Sequence, residues 1–89
     1  MRAPVLGSRF KKDVERMERR GEDLSKLREV IRLLIEDQPL PPRCKDHPLS
    51  GNWAHFRDCH IEPDWLLLYK VEGDSLHLVR TGTHSDLFG

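Results

Sequence analysis

Apolar residues recur at every third or fourth position over the first third of the chain, which is the spacing of amphipathic helices. Ser8 is a suitable N-cap for a first helix that we expect to end at Arg20. Asp23 is a suitable N-cap for a second helix that continues to about Glu36. Gly21 suits the left-handed position that ends a helix. The apolar stripes are Phe10, Val14 and Met17 in the first helix, and Leu24, Leu27, Val30, Ile31, Leu34 and Ile35 in the second. The pattern predicts a helical hairpin.

The hydrophobic period changes from helical to alternating after a proline-rich segment, residues 38–42, which stops the second helix. A loop to about Gly51 should follow. Alternating positions then predict three strands, at Trp53–Ile61, Trp65–Val71 and Ser75–Thr81. The turns between these strands are short, so neighbouring strands should be antiparallel. Residues 2–6 should add a short edge strand, because Pro4 cannot donate a hydrogen bond within a sheet.

Together these elements predict an α+β fold in which an N-terminal helical hairpin packs on one face of a small antiparallel β-sheet. The 89 residues suit a single domain, residues 1–89, with no room for a large cofactor pocket besides the core. No apolar run approaches the roughly 20 residues of a membrane-spanning helix. The N-terminal residues do not resemble a signal peptide. We therefore expect a cytoplasmic protein with no membrane partner.

The charged residues are unevenly distributed, although they balance to a net charge of zero. Residues 1–35 contain ten Lys and Arg against six Asp and Glu, whereas residues 36–89 contain five against nine. The first part can therefore offer a basic surface to phosphate groups, while the second holds most carboxylates. The alternative is that the arginines only solvate the two helices, because runs of charge usually mark exposed helix faces.

All five histidines lie after residue 46, so a metal site is the first chemistry to consider. Cys59 and His60 are adjacent, and on a strand they would point to opposite faces. Cys44 and His47 have a usable spacing, but the strand could supply only one of the two further ligands that zinc requires. We expect no metal and no cofactor. The two cysteines should be free thiols, one in a loop and one in a strand.

Acid–base catalysis suits the histidines better than metal binding does. Histidine titrates near pH ~6.5, so at neutral pH one ring can accept a proton while another donates one. Cleavage of RNA by its own 2′-OH needs a base, an acid and positive charge near phosphorus. The predicted turns gather four titratable groups at one end of the sheet, with two aromatic side chains that could stack on bases. These residues are His47, His60, Asp64 and His84, with Trp65 and Phe88.

Each candidate also has a structural interpretation that is at least as good when the residue is taken alone. His47 suits a loop beside a proline, and His60 suits an exposed strand end. Asp64 suits the turn after Pro63. Trp65 begins an apolar strand and suits the core. We interpret a further set as structural, namely Trp53, His55, Phe56, Tyr69 and His77. The catalytic hypothesis therefore depends on the convergence of the whole set.

Several segments of the chain resemble the YafQ branch of the RelE-type toxins. They are Lys45-Asp46-His47-Pro48-Leu49, Gly51-Asn52-Trp53, Arg57-Asp58-Cys59-His60-Ile61-Glu62-Pro63-Asp64-Trp65, Arg80-Thr81-Gly82-Thr83-His84 and Leu87-Phe88-Gly89. The similarity extends over essentially the whole chain. It implies a RelE-like fold and a toxin of a type II toxin–antitoxin system. Such a toxin enters the ribosomal A site, contacts 16S rRNA and cuts messenger RNA there, and a DinJ-like antitoxin blocks it.

The resemblance also implies roles for individual residues. The matching site residues are the histidines His47, His60 and His84, the carboxylate Asp64, and the aromatics Trp65 and Phe88. Arg80 is a further candidate for a phosphate contact, because the guanidinium fork suits phosphate oxygens. The spacing leaves open which group is the acid and which is the base.

These observations predict a metal-independent endoribonuclease, with two alternatives from other functional classes. A ParE-like toxin would keep the same fold and bind DNA gyrase without catalysis. A plain protein-interaction module would show no toxicity at all. The histidine set favours the nuclease, because a gyrase inhibitor has no chemical need for it.

Overall fold

The computed structural model describes all 89 residues as a β-sheet with two long helices packed on one face and a short C-terminal helix on the other. The helices are α1 at Ser8–Arg19, α2 at Leu24–Ile35 and a short α3 at His84–Phe88. The strands are β1 at Ala3–Leu6, β2 at His47–Pro48, β3 at Arg57–Glu62, β4 at Trp65–Glu72 and β5 at Ser75–Gly82. Short 3₁₀ turns occur at Pro42–Cys44 and Gly51–Trp53. The predicted α+β fold with an N-terminal helical hairpin is confirmed. No helix is long and apolar enough to cross a lipid bilayer.

The helical hairpin forms where the apolar periodicity predicted it. Asp23 caps α2 by accepting a hydrogen bond from the Ser25 backbone N–H at 3.0 Å. Gly21 takes a left-handed φ of 83°, which permits the turn between the helices. The start of α1 differs from the prediction, because Gly7 is the N-cap and Ser8 is the first helical residue. No side chain caps α1.

The sheet has the strand order β1-β5-β4-β3-β2. Neighbouring strands are antiparallel, except that β1 runs parallel to β5, with Ala3 opposite Ser75 and Leu6 opposite Leu78. The edge position of β1 agrees with the prediction, whereas its parallel direction was not foreseen. In the sequence, α1 and α2 separate β1 from all the other strands. No tight turn therefore connects β1 to β5, and the two strands are free to pair in parallel.

The first long strand is shorter than its alternating pattern predicted. It begins at Arg57 instead of Trp53, because residues 51–53 form a 3₁₀ turn and His55 adopts a positive φ of 79°. The interpretation of His55 as a mid-strand residue was therefore wrong. Trp53 leaves the sheet and packs over the face that carries Leu66 and Leu68.

Both faces of the sheet are covered, although to different extents. The face toward α1 and α2 carries the main core, to which β4 contributes Trp65, Leu67 and Tyr69. The alternate residues Leu66 and Leu68 form a smaller cluster with Leu87 of α3, joined by the partly buried Leu49, Trp53 and Val79. Since β4 is apolar on both faces, its sequence is nearly continuous in hydrophobicity. We call the side of the sheet opposite the two long helices the open face.

The C-terminal helix α3 was not predicted, because five residues are too few to show a helical period. Thr83 and Asp86 form a capping box that starts it. The Thr83 hydroxyl accepts from the Asp86 backbone N–H at 3.1 Å, and the Asp86 carboxylate accepts from the Thr83 backbone N–H at 2.9 Å. The box places His84 at the first helical position, beside the turn that joins β3 to β4.

Candidate active site on the open face of the sheet

Two polar residues of β3 point to the open face. Cys59 and Ile61 pack into the main core on the helix side. Because side chains alternate along a strand, Asp58 and His60 project to the other side. They lie opposite Leu68 and Leu66 in the register with β4. This alternation gives the open face one carboxylate and one imidazole, two residues apart.

His84 and Asp64 meet at the same end of the sheet. Nδ1 of His84 lies 2.5 Å from Oδ1 of Asp64, and the His84 backbone N–H donates to that oxygen at 3.0 Å. The ring centroids of His84 and His60 are 5.8 Å apart. Hydrogen bonds from the backbone and side chain of His84 hold the pKa of Asp64 below its usual range. Asp64 is therefore anionic at neutral pH and orients the His84 ring.

His47 reaches the cluster from β2, where it lies opposite Asp58 in the register with β3. Its Nε2 is 3.7 Å from Oδ2 of Asp58. The predicted convergence therefore holds for the four titratable candidates, with His47 joined to the others through Asp58. His47 therefore lies in an edge strand, where the sequence analysis predicted a loop.

The three histidines share one hydrogen-bonding arrangement. Nδ1 faces the Lys45 carbonyl at 2.7 Å in His47, the Pro63 carbonyl at 3.2 Å in His60 and the Asp64 carboxylate at 2.5 Å in His84. These oxygens only accept hydrogen bonds, so Nδ1 is the donor in each ring. Nε2 of each neutral ring then carries the lone pair. All three rings are therefore able to take up a proton at Nε2.

Asp58 is the residue of this cluster that the sequence analysis did not select. Its side chain is buried, with the residue only 5% exposed, and Oδ1 has no hydrogen-bond partner. Burial raises the pKa of Asp58, and the nearby His47, His60 and His84 oppose that rise. The spacing Asp58-x-His60 on a strand was the available signal, because it puts both side chains on one face.

Trp65 is placed differently from the predicted stacking role. It is 2% exposed, it belongs to the main core, and its indole N–H donates to the Thr81 hydroxyl at 2.9 Å. A base could stack on this ring only if the ring became exposed, so the RNA-stacking role of Trp65 stays a prediction. The alternative that placed it in the core describes its position.

Arg80 is also unavailable for the predicted phosphate contact. It is 8% exposed, and its guanidinium donates to both carboxylate oxygens of Asp13 in α1, at 2.6 and 3.2 Å. The same carboxylate accepts from the Thr81 backbone N–H at 3.2 Å and from Arg16 at 2.7 Å. This buried ion pair ties α1 to β5.

Phe88 remains accessible, as the stacking hypothesis requires. It is 47% exposed at the end of α3, and its ring meets the Trp53 ring edge-to-face, with centroids 6.3 Å apart. Cys44 and Cys59 are both free and buried, one in the 3₁₀ turn after α2 and one in β3, as expected. No three side chains of the His, Cys, Asp and Glu types are placed to hold a metal ion together.

Comparison with known proteins decides which family this geometry belongs to. A family model described as the bacterial toxin of type II toxin–antitoxin system, YafQ, matches residues 2–89. The chain belongs to the YafQ toxin family. The mRNA interferase toxin YafQ of Escherichia coli (strain K12) is 48% identical over 81 residues, which cover 90% of this chain and 88% of that protein.

Solved structures of similar proteins have the same fold. The crystal structure of the E. coli DinJ-YafQ complex matches with a TM-score of 0.93 at 44% identity, covering 100% of both chains. A metal-bound toxin from Helicobacter pylori matches with a TM-score of 0.93 at 42% identity, covering 99% of this chain and 100% of that one. The predicted YafQ resemblance is confirmed. Membership of this family favours a toxin of the YafQ type over the ParE-like alternative and over an interaction module.

Proposed function

We propose that this member of the YafQ family is a cytoplasmic endoribonuclease that cleaves mRNA in the ribosomal A site without a metal. The observation that carries the proposal is the cluster of His60, Asp64 and His84 at one end of the open face, with the His60 and His84 ring centroids 5.8 Å apart. The mRNA interferase activity of the E. coli relative supports it. Acid–base chemistry on RNA needs two proton-transfer groups close together, and this cluster supplies them.

In the proposed reaction the 2′-OH of the scissile nucleotide attacks its own phosphate. A neutral imidazole takes the hydroxyl proton at Nε2, the new O–P bond forms, and the bond from phosphorus to the 5′ oxygen breaks. A protonated imidazole gives its proton to that leaving oxygen. The product is a 2′,3′-cyclic phosphate, which water can open to a 3′ phosphate. No electron transfer or external reductant is involved.

We assign His84 and His60 to the two proton-transfer roles, because their rings lie side by side at the same end of the open face and Nδ1 of each is engaged by an acceptor. Asp64 is the orienting carboxylate, since its lowered pKa keeps it ionised and its oxygen holds Nδ1 of His84. His47 would add positive charge near phosphorus when it is protonated, and Asp58 would favour that charge. Which of His84 and His60 is the base is a question for pH–rate profiles.

The exposure of the cluster supports a dependence of cleavage on the ribosome. His84 and Asp64 are both exposed, so the protein alone neither buries a substrate nor excludes water around the reacting atoms. Arg80, the arginine that the sequence placed beside the site, is held by Asp13. A ribosome that holds the mRNA and its 16S rRNA contacts would supply the missing alignment of the strand. The basic balance of residues 1–35 suits such rRNA contacts.

We also propose a DinJ-like antitoxin as the cognate partner. The E. coli relative with the same fold has been crystallised in complex with DinJ, at 44% identity to this chain. A toxin that cuts mRNA must be held inactive during growth, and a bound antitoxin serves that purpose. We expect a purified cognate antitoxin to form a stable complex with the chain and to prevent cleavage.

The proposed function is tested by primer extension on a defined mRNA in a reconstituted translation system. We expect new 5′ ends within the coding region when ribosomes are present and far fewer on the same mRNA alone. A chelator selective for transition metals, used at the Mg²⁺ concentration that ribosomes need, should leave cleavage unchanged. Cleavage that disappears with the chelator and returns with added metal would contradict the metal-independent mechanism.

Replacing Asp58 by asparagine should raise stability and lower activity. Burial raises the folded-state pKa of Asp58, so ionising it opposes folding. The stability that the Asp58 carboxyl group contributes is fully present below its pKa in the unfolded chain, about 4, and is lost as pH rises through its higher pKa in the folded protein. Asp58→Asn should therefore be more stable than wild type at pH 7 in urea denaturation, while cleavage falls about 10- to 100-fold because His47 and His60 lose a negative neighbour.

An Asp58→Asn variant that is less stable than wild type at pH 7, and not at pH 3, would contradict this reading of the buried carboxylate. Asp74→Asn is a suitable control. Asp74 lies in the exposed turn between β4 and β5, and Asp74→Asn should change neither stability nor cleavage appreciably.

A further inference from the structure

A row of aromatic side chains leads away from the catalytic cluster along the open face. His84 and Phe88 are four residues apart in α3 and so lie on the same side of that helix. The Phe88 ring meets Trp53 edge-to-face at 6.3 Å, and Trp53 meets Phe56 in the same way at 5.5 Å. Nζ of Lys70 lies 5.3 Å from the centre of the Phe56 ring.

The row ends at a groove of about 310 Å³ on the same face. Lys70 of β4 and His77 of β5 are directly opposite each other and form part of its floor. Lys70 projects to the same side as Leu66 and Leu68, because side chains alternate along β4. The groove is lined further by Trp53, Val79 and Arg9. It therefore combines the Trp53 ring with three cationic residues, Arg9, Lys70 and Arg80. Arg80 is held by Asp13, and Lys70 also pairs with Glu72 at 3.0 Å.

We propose that this groove, the Trp53 groove, binds a nucleotide of the RNA strand that flanks the scissile phosphate. The base would stack on Trp53, and Arg9 and Lys70 would contact the phosphate. Aromatic rings beside cations are how proteins hold single-stranded RNA without reading every base. The volume is at the lower end of small-ligand sites, which suits one nucleotide. The inference rests on the proposed nuclease function, and it makes Trp53, in place of the buried Trp65, the tryptophan that contacts RNA.

The cleaved strand is a better occupant than rRNA, because the groove continues the face that carries His84. An RNA strand whose phosphate lies at His84 would cross Phe88 and reach Trp53 without leaving that face. A contact to 16S rRNA would have no reason to follow this row. The two sources can be distinguished by altering the mRNA. A change in the mRNA alters the occupant of the groove if that occupant is the flanking nucleotide, and leaves it unchanged if the occupant is rRNA.

Direct binding is measured on the His84→Ala protein, which should not consume its ligand. A short single-stranded oligoribonucleotide is titrated into ¹⁵N-labelled protein, and the two indole N–H signals are followed by NMR. We expect the Trp53 signal to move and the Trp65 signal to stay, because Trp65 is buried beneath the sheet and serves as an internal reference. Equal movement of both signals, or of neither, would overturn the inference.

The kinetic test uses single-turnover and steady-state cleavage of ribosome-bound mRNA. Arg9→Gln and Lys70→Gln are changes to side chains at the protein surface and should leave the fold intact. Together they should raise KM about tenfold with kcat nearly unchanged, since they remove binding energy that substrate and transition state share. Lys12→Gln, on the same helix as Arg9 but outside the groove, is the matched control and should leave KM unchanged. Trp53→Leu should raise KM by a similar factor, because it removes the ring on which the base would stack.

An mRNA with an abasic ribose next to the cleavage position separates the two RNA sources. Wild type should cleave it with a KM about tenfold higher than normal mRNA, and Trp53→Leu should treat both alike. If Trp53→Leu raises KM but still distinguishes the two mRNAs, the groove contacts rRNA and the inference is overturned. If wild type does not cleave mRNA but its Trp53 signal moves with oligoribonucleotide, the proposed nuclease function fails and the RNA-binding groove stands. If cleavage depends on His84 while the groove variants match wild type, the nuclease function stands and the inference of an RNA-binding groove is overturned.

Discussion

Replacing His84 by alanine should lower mRNA cleavage on ribosomes about 100- to 10 000-fold, the usual loss when a proton-transfer group is removed. His84 presents Nε2 to the site because Asp64 holds its Nδ1, and the alanine variant would leave that carboxylate without its imidazole. The backbone N–H at this position still donates to Asp64, so α3 should keep its start. Cleavage is measured by primer extension at matched ribosome concentrations, and folding by urea denaturation.

His55→Asn is the matched control for His84→Ala. His55 is an exposed histidine in the turn before β3, and asparagine tolerates the positive φ of 79° found there. This variant should cleave as well as wild type. Full activity in a folded His84→Ala protein would remove His84 from the mechanism. Equal losses in both variants would mean that any histidine change perturbs the protein, and would likewise remove the assignment.

Replacing Asp13 by alanine should destabilise the protein by about 3–5 kcal/mol, the cost of breaking a buried ion pair by removing one partner. Asp13 is buried and accepts hydrogen bonds from Arg80, from Arg16 and from the Thr81 backbone N–H. Without it, the Arg80 guanidinium would remain buried and unpaired between α1 and β5. A loss of this size is a large part of the stability of a domain of this length. Urea denaturation of the purified protein measures it.

The double variant Asp13→Leu with Arg80→Met separates the loss of the pair from the loss of packing. Because both charges are removed and apolar volume is kept, it should recover much of the stability lost in Asp13→Ala. It should also cleave mRNA at a rate close to wild type, since Arg80 is not free to hold a phosphate. If the double variant is stable but its cleavage falls about a hundredfold, Arg80 contributes to cleavage and the prediction is wrong.

Much of the candidate site could be predicted because short turns constrain where strand ends lie. Pro63 and Asp64 form the tight turn between β3 and β4, so His60 and Asp64 had to be close. β5 returns antiparallel to β4, which brings its end and His84 back to the same place. These inferences needed only strand order and turn length. The same strand ends would lie close together with many different arrangements of the core side chains.

Asp58 and Trp53 were missed for a different reason. The spacing from Asp58 to His60 indicates that the two side chains share a face of the strand, but it does not indicate that the Asp58 carboxylate is buried. Trp53 was predicted as the first residue of a strand that runs to Ile61. Its true position depends on the 3₁₀ turn at Gly51–Trp53 and on the cavity beside Lys70 and His77, which exist only in the folded chain.

The sequence by itself determined the helical hairpin, the three long strands except for the start of the first, the family, and the meeting of His60, Asp64 and His84, because periodicity and short turns act locally along the chain. Only the tertiary structure decided which face of the sheet each side chain serves. β4 is apolar at every position from Trp65 to Tyr69, so alternation alone cannot say that Trp65 faces the helices and Leu66 the open side. Likewise, Arg80 and Asp13 are 67 residues apart, and their ion pair arises only when α1 packs against β5. Burial and pairing are properties of the packed layers.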